Sequence, residues 1–132
     1  MDEIHYGFTL DCHVYEFNVV CQNQKIPYQL TLHEDLRHNR FNLVLLNLLA
    51  VENGSLVNDL RIKVCNCILD FLEKYPNSRI YFNIDLYHKR NFIKFIKFFR
   101  WYHPYRERIN FEIESTHRNN IKYFEIIIYK KE

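Results

Sequence analysis

FNLVLLNLLAVENGSLVNDLRIKVCNCILDFLEKYPNSRIYFNID, residues 41–85, decides the fold because a strand, a helix and a second strand follow one another within it. Residues 41–51 are apolar on both faces except at Asn42 and Asn47, which predicts a central strand covered on both sides. A leucine-rich helix is the competing interpretation. Residues Arg79–Asp85 alternate and predict a short strand. Strand, helix and strand in this order favour a right-handed crossover between parallel neighbours.

The helix between these strands is predicted to begin near Leu56 or Asp59, with Ser55 and Asn58 as candidate N-caps, and to end at Glu73. At about 100° per residue, its apolar side chains share one arc. That arc is the predicted buried face: Leu60, Val64, Cys67, Ile68 and Phe71. The opposite arc is predicted to be exposed: Lys63, Asn66, Asp70 and Glu73.

Both ends of the chain alternate apolar and polar residues as strands do. Residues 6–10, 14–20 and 26–32 predict three strands, and residues 108–114 and 121–129 predict a terminal antiparallel hairpin.

A second helix is predicted over residues 87–102. The expected fold is therefore a single α+β domain over residues 1–132, a mixed curved sheet with two helices packed on it. The expected element order is ββββ-α-β-α-ββ, with antiparallel pairing at both ends of the chain.

This element order resembles that of the GNAT acetyltransferase superfamily. The resemblance implies a GNAT-like topology and an acyltransferase that binds the pyrophosphate of acetyl-CoA at the start of the first long helix. The superfamily places glycines there, so that backbone N–H groups can reach the phosphates. The corresponding residues 56–63 contain no glycine, and Asp59 puts a negative charge in the first turn. Arg61 is the one weak candidate for binding the cofactor.

The chain is also similar to a family of small uncharacterised bacterial proteins, a domain of unknown function. The similarity lies in Ile68-Leu69-Asp70-Phe71 and in the basic-aromatic run over residues 94–99. It implies no established activity. A separate hypothesis, which no residue tests, is that the chain is one component of a two-gene bacterial system with a partner encoded nearby.

Composition narrows the class of protein. The 132 residues are 48% hydrophobic and 17% aromatic, which excludes an intrinsically disordered chain. The net charge of +2 is too small to indicate nucleic acid by itself. The first ten residues lack a signal peptide's apolar region, and no run is long enough for a membrane helix. The four cysteines are typical of reduced thiols, so a cytoplasmic protein is expected.

The predicted second helix carries a basic stripe that includes the single tryptophan. This candidate binding surface comprises Arg90, Lys94, Lys97, Phe98, Arg100 and Trp101. Aromatic and cationic side chains together favour a protein partner or a second copy of the chain, and RNA is a further possibility. The alternative is that Trp101 is covered and the lysines are ordinary solvated charges. The leading hypothesis is a non-enzymatic binding or interaction module.

Evidence for catalysis or a metal is sparse. Asp85, Tyr87 and His88 follow a strand end and are weak candidates for proton transfer, although Asp85 also fits an N-cap. Cys12 and His13 are neighbours in a strand and should face opposite sides. No set of ligands has the spacing of a metal site, so no metal is expected. No cofactor is expected beyond acetyl-CoA under the acyltransferase alternative.

Overall fold

The computed structural model describes residues 4–9, 11–21, 23–47, 58–85 and 108–131. These residues form seven strands and one helix. The elements, in chain order, are β1 (His5–Thr9), β2 (Cys12–Cys21), β3 (Gln24–Asp35), β4 (Arg40–Asn47), α1 (Asn58–Lys74), β5 (Arg79–Asp85), β6 (Ile109–Arg118) and β7 (Ile121–Lys130).

The seven strands make one sheet in the order β1-β2-β3-β4-β5-β7-β6. Strands β1 to β4 form an antiparallel meander, and β7 lies between β5 and β6 and pairs antiparallel with both. β4 and β5 are parallel neighbours joined through α1. The predicted parallel centre and antiparallel ends are therefore confirmed.

The expected fold class is wrong in the proportion of helix to strand. We expected two helices packed on a GNAT-like sheet in the order ββββ-α-β-α-ββ, whereas the structure is mostly sheet. The described elements run ββββ-α-β-ββ with a single helix. Branched and aromatic residues extend β2, β3, β6 and β7 to between 10 and 12 residues, longer than their alternation indicated. The helix predicted over residues 87–102 lies outside the described residues.

The helix and strand predicted in the middle of the chain are confirmed. α1 covers Asn58–Lys74, and β5 has the predicted bounds. All five residues of the predicted buried face of α1 have at most 5% of their surface exposed: Leu60, Val64, Cys67, Ile68 and Phe71. They pack on the face of the sheet formed by residues such as Leu30, Leu32, Ile80, Ile126 and Ile128.

Lys63 contradicts the predicted exposed arc of α1, because it is buried. Its ammonium group lies 3.0 Å from the Asp59 carboxylate and donates a hydrogen bond to the backbone carbonyl oxygen of Asn18. β2 packs against this side of the helix. A charge can be buried there because it is paired and hydrogen-bonded.

β4 is the central strand of the sheet but is not covered on both sides. Val44 and Leu45 point to opposite faces, and they keep 40% and 36% of their surface exposed. The strand ends at Asn47. Residues 48–51 of the predicted strand lie outside the described residues.

Candidate functional site

Pairing between the two parallel strands at the centre of the sheet stops early. β4 and β5 pair only through Phe41 with Ile80 and Asn42 with Tyr81. Beyond these pairs β4 continues to residue 47 and β5 to residue 85, each still paired with its other neighbour. Among the described strands, none pairs with the edges that β4 and β5 turn toward each other there. We call residues 43–47 and 82–85 the β4–β5 gap.

Backbone groups and apolar side chains line this gap. An unpaired strand edge presents N–H and C=O groups that can bond another extended segment. On the β4 side, Val44 and Leu45 present exposed apolar surface on the two faces of the sheet. The gap also lies at the carboxyl ends of adjacent parallel strands, where open sheets commonly bind ligands.

Polar residues are concentrated at the base of the gap, where the two strands last pair. The Arg40 guanidinium carbon lies 3.6 Å from the centre of the Tyr81 ring, and Arg40 Nε lies 3.7 Å from Asp35 Oδ2. Asn42 Nδ2 donates to the same Asp35 oxygen at 3.5 Å. Tyr81 Oη donates to Glu125 Oε1 at 3.0 Å. Side chains from β3, β4, β5 and β7 thus fix one another at this point.

Two polar atoms at the base of the gap are buried without a hydrogen-bond partner in the part of the chain that the structure describes. They are Arg40 Nε, a donor, and Asn42 Oδ1, an acceptor. Since Asn42 Nδ2 already bonds Asp35, Oδ1 is directed away from that carboxylate. Unsatisfied buried polar atoms cost free energy, so they mark a place where water or a ligand group would be stabilised.

His13 forms a second cluster, on the face of the sheet that carries α1. The imidazole is 5% exposed, and its Nδ1 lies 2.7 Å from Tyr6 Oη. Five aromatic rings surround it: Tyr6, Phe8, Phe41, Phe71 and Tyr75.

The chemistry of this His13 cluster suits packing better than proton transfer to a substrate. Burial lowers the pKa of His13 more than the nearby Glu34 raises it, so the imidazole is neutral at pH 7. Burial, together with a hydrogen bond to Tyr75, raises the pKa of Tyr6 to about 12. Tyr6 therefore stays a neutral phenol, hydrogen-bonded to His13 Nδ1.

The start of α1 carries a fixed negative charge. Asp59 Oδ2 accepts hydrogen bonds from the Val20 backbone N–H at 2.9 Å and from Lys63 Nζ at 3.0 Å. The carboxylate stands where a phosphate-binding helix would offer free backbone N–H groups, and it repels a phosphate. This placement agrees with the absence of glycine from residues 56–63.

The described residues bring none of the predicted site residues together. Asp85 ends β5 and pairs with Tyr123, and Arg61 lies in the first turns of α1. The other predicted candidates lie outside the described residues: Tyr87, His88, Arg90, Lys94, Lys97, Phe98, Arg100 and Trp101. The RNA-binding alternative, which rests on the same surface, stays a prediction.

The thiols do not form a nucleophilic site in the described part of the chain. His13 faces the core and Cys12 faces the other side of the sheet, where Cys12 Sγ lies 3.9 Å from His33 Nε2. Burial raises the pKa of Cys12, which disfavours the reactive thiolate. Cys65 and Cys67 are fully buried in the core.

Within the described ranges, no three His, Cys, Asp or Glu side chains are grouped closely enough to hold a metal ion. No helix among those residues has the length and apolar character needed to cross a membrane.

The sequence signal for the gap was weak. Asn42 interrupts an apolar run, and only the pairing of β4 with β3 and β5 shows that it lies at the base of the gap. No protein-family model, curated protein or solved structure matches this chain.

Proposed function

We propose that this chain is a non-enzymatic interaction module that binds an extended segment of a protein partner in the β4–β5 gap. The observation that carries this proposal is the short pairing of β4 with β5, which stops after two residue pairs. The basic-aromatic surface of Arg90, Lys94, Lys97, Phe98, Arg100 and Trp101 is proposed as a second contact. The proposed location is the cytoplasm.

The chemistry of the gap supports an extended polypeptide as the ligand. A peptide strand supplies alternating N–H and C=O groups that match an open strand edge, and its side chains alternate between the two faces. Val44 and Leu45 offer apolar contact on each face. At the base of the gap, the C=O of a peptide group would accept a hydrogen bond from Arg40 Nε, and a peptide N–H would donate one to Asn42 Oδ1.

Selection from a displayed library of random peptides tests this proposal. We expect recovered peptides to bind the wild-type chain and to lose binding to Val44→Arg, because a charged side chain replaces the apolar contact that Val44 offers on one face of the gap. Val20→Arg is the matched control, since Val20 is 42% exposed on β2 and lies away from the gap. Peptides that bind wild type and Val44→Arg equally would contradict the proposal.

The second contact surface has its own test. Replacing Lys94, Lys97 and Trp101 together should abolish partner capture while leaving the melting temperature nearly unchanged. A large loss of stability instead would show that this surface is part of the core.

The geometry of the gap also favours a second candidate, an acyltransferase that uses acetyl-CoA. Open sheets bind ligands at the carboxyl ends of their parallel strands, and Asp85 at the end of β5, with Tyr87 and His88, would supply proton transfer. The fixed carboxylate of Asp59 opposes it. A rise in melting temperature with millimolar acetyl-CoA would support this candidate, and no shift would exclude it.

A further inference from the structure

The outer edge of β6 is long and regular. β6 is the last of the described strands of the sheet, and ten consecutive residue pairs join it to β7 without a bulge. No described strand pairs with its other edge. Its ten residues, INFEIESTHR, contain no proline and no lysine, which natural proteins use to protect edge strands from pairing. Ile113 in the middle of the strand keeps 37% of its surface exposed.

We propose that two copies of this chain associate by antiparallel pairing of their β6 strands, with Phe111 opposite the same residue of the second copy. This register extends the sheet across the dimer. It is independent of the β4–β5 gap, which lies two strands away.

The sequence complements itself in this register. Arg108, the residue before β6, still pairs with the end of β7, because its carbonyl oxygen accepts a hydrogen bond from the Lys131 N–H at 2.8 Å. In this register Arg108 falls opposite Glu114 of the second copy, and the two-fold symmetry repeats this ion pair. Ile109 falls opposite Ile113 on the face that carries the core. Because Ile109 is already 3% exposed, the new apolar contact comes mainly from Ile113. A register centred two residues later would instead place Glu112 opposite Glu114 and Arg108 opposite Arg118. Like charges directly opposite each other destabilise a sheet, so the first register is favoured.

Glu114 is in an unfavourable position in the single chain. It lies directly opposite Glu125 of β7, so two carboxylates neighbour each other on one face of the sheet. Tyr81 Oη donates to Glu125, whereas Glu114 is exposed and has no ion pair or hydrogen bond with the described residues. The Arg108 side chain is likewise exposed and without an ion pair among the described residues. Arg108 of the second copy would offset the charge of Glu114.

Charge reversal tests the pairing and its register. We expect the wild-type chain to show a monomer–dimer equilibrium in sedimentation experiments. Arg108→Glu and Glu114→Arg should each raise the dimer dissociation constant about tenfold or more, because two ion pairs become two like-charge contacts. The double variant should restore dimerisation, since it exchanges the charges and keeps the pairs.

Glu16→Arg, an exposed charge reversal on β2, is the matched control and should leave the dimer unchanged. Ile113→Lys should give a monomer whose melting temperature, measured at a concentration where wild type is also monomeric, is nearly unchanged. A wild-type chain that stays monomeric at its highest soluble concentration would overturn the proposal. A double variant that is no better a dimer than either single variant would overturn the register.

Discussion

Among single residues, His13 is one whose burial makes the stability of the fold depend on pH. Its ring is enclosed by aromatic side chains from β1, β4 and α1, and by Tyr75 just beyond α1. The titratable groups that face it are Tyr6 and Tyr75, with Glu34 and Lys74 further out. Burial outweighs the attraction of Glu34, so the folded protein favours the neutral imidazole.

We therefore expect stability to fall as the solution is acidified through the range where the unfolded histidine titrates. The pKa of His13 is about 6.5 when unfolded and lower when folded. Above pH 6.5 both states are neutral; below it the unfolded state binds the extra proton and unfolding becomes easier. The loss is at most about 1.4 kcal/mol per pH unit for one proton.

Urea unfolding at pH 8 and pH 5.5 measures this loss, and His13→Phe is the control. The wild-type chain should lose more stability between the two pH values than the variant does. Equal losses in the two proteins would show that other groups cause the acid response.

Tyr15 joins β2 to α1 through a single hydrogen bond. Its hydroxyl donates to Asp70 Oδ2 at 2.7 Å, and Lys74 Nζ lies at the same distance from that oxygen. The ring is 1% exposed, so water cannot replace the carboxylate as its partner.

Tyr15→Phe should lower the free energy of unfolding by about 1–2 kcal/mol, because the ring still fills its space while the bond to a charged acceptor is lost. Tyr129→Phe is the comparison, since its hydroxyl bonds the exposed Glu112 at 3.3 Å and should contribute less than about 0.5 kcal/mol. Chemical denaturation of wild type and both variants measures these changes in the free energy of unfolding. Equal effects would contradict this account of Tyr15.

Among the elements, α1 was the easiest to predict from sequence. Its apolar residues recur at helical spacing, and both N-cap candidates lie within three residues of its observed start at Asn58. Lys63 was wrongly predicted to be exposed, because a helical wheel gives the direction of a side chain around the helix and not what packs against it. Which part of the helix β2 covers depends on residues far away in the chain, such as Asn18.

Two substitutions that break the ion pair of Asp59 with the buried Lys63 should differ in how much stability they cost. Asp59→Ala should lower the free energy of unfolding by about 2–4 kcal/mol, because it removes the carboxylate that the buried Lys63 ammonium faces. Lys63→Met should cost about 1 kcal/mol or less, since an apolar side chain of similar length removes the charge as well. Denaturation curves that rank the two variants in the reverse order would contradict this.

For the whole molecule, local patterns predicted the elements better than the site. β5, the crossover and the terminal hairpin follow from alternation and element order. The lengths of β2, β3, β6 and β7 do not follow from alternation, because cross-strand pairing extends these strands beyond their alternating residues. The early end of pairing between β4 and β5 is marked in the sequence only by Asn42, which interrupts the apolar run of β4. It depends on how the β1–β4 meander and the antiparallel group of β5, β7 and β6 pair with each other, which they do through two residue pairs.

The central claim is that the β4–β5 gap binds an extended ligand. The most direct measurement is backbone hydrogen exchange of the chain with and without a peptide selected from the displayed library. We predict that protection increases at residues 43–47 and 82–85, where backbone groups gain partners. Protection that appears only elsewhere, or no change in these two segments at saturating peptide, would contradict the claim.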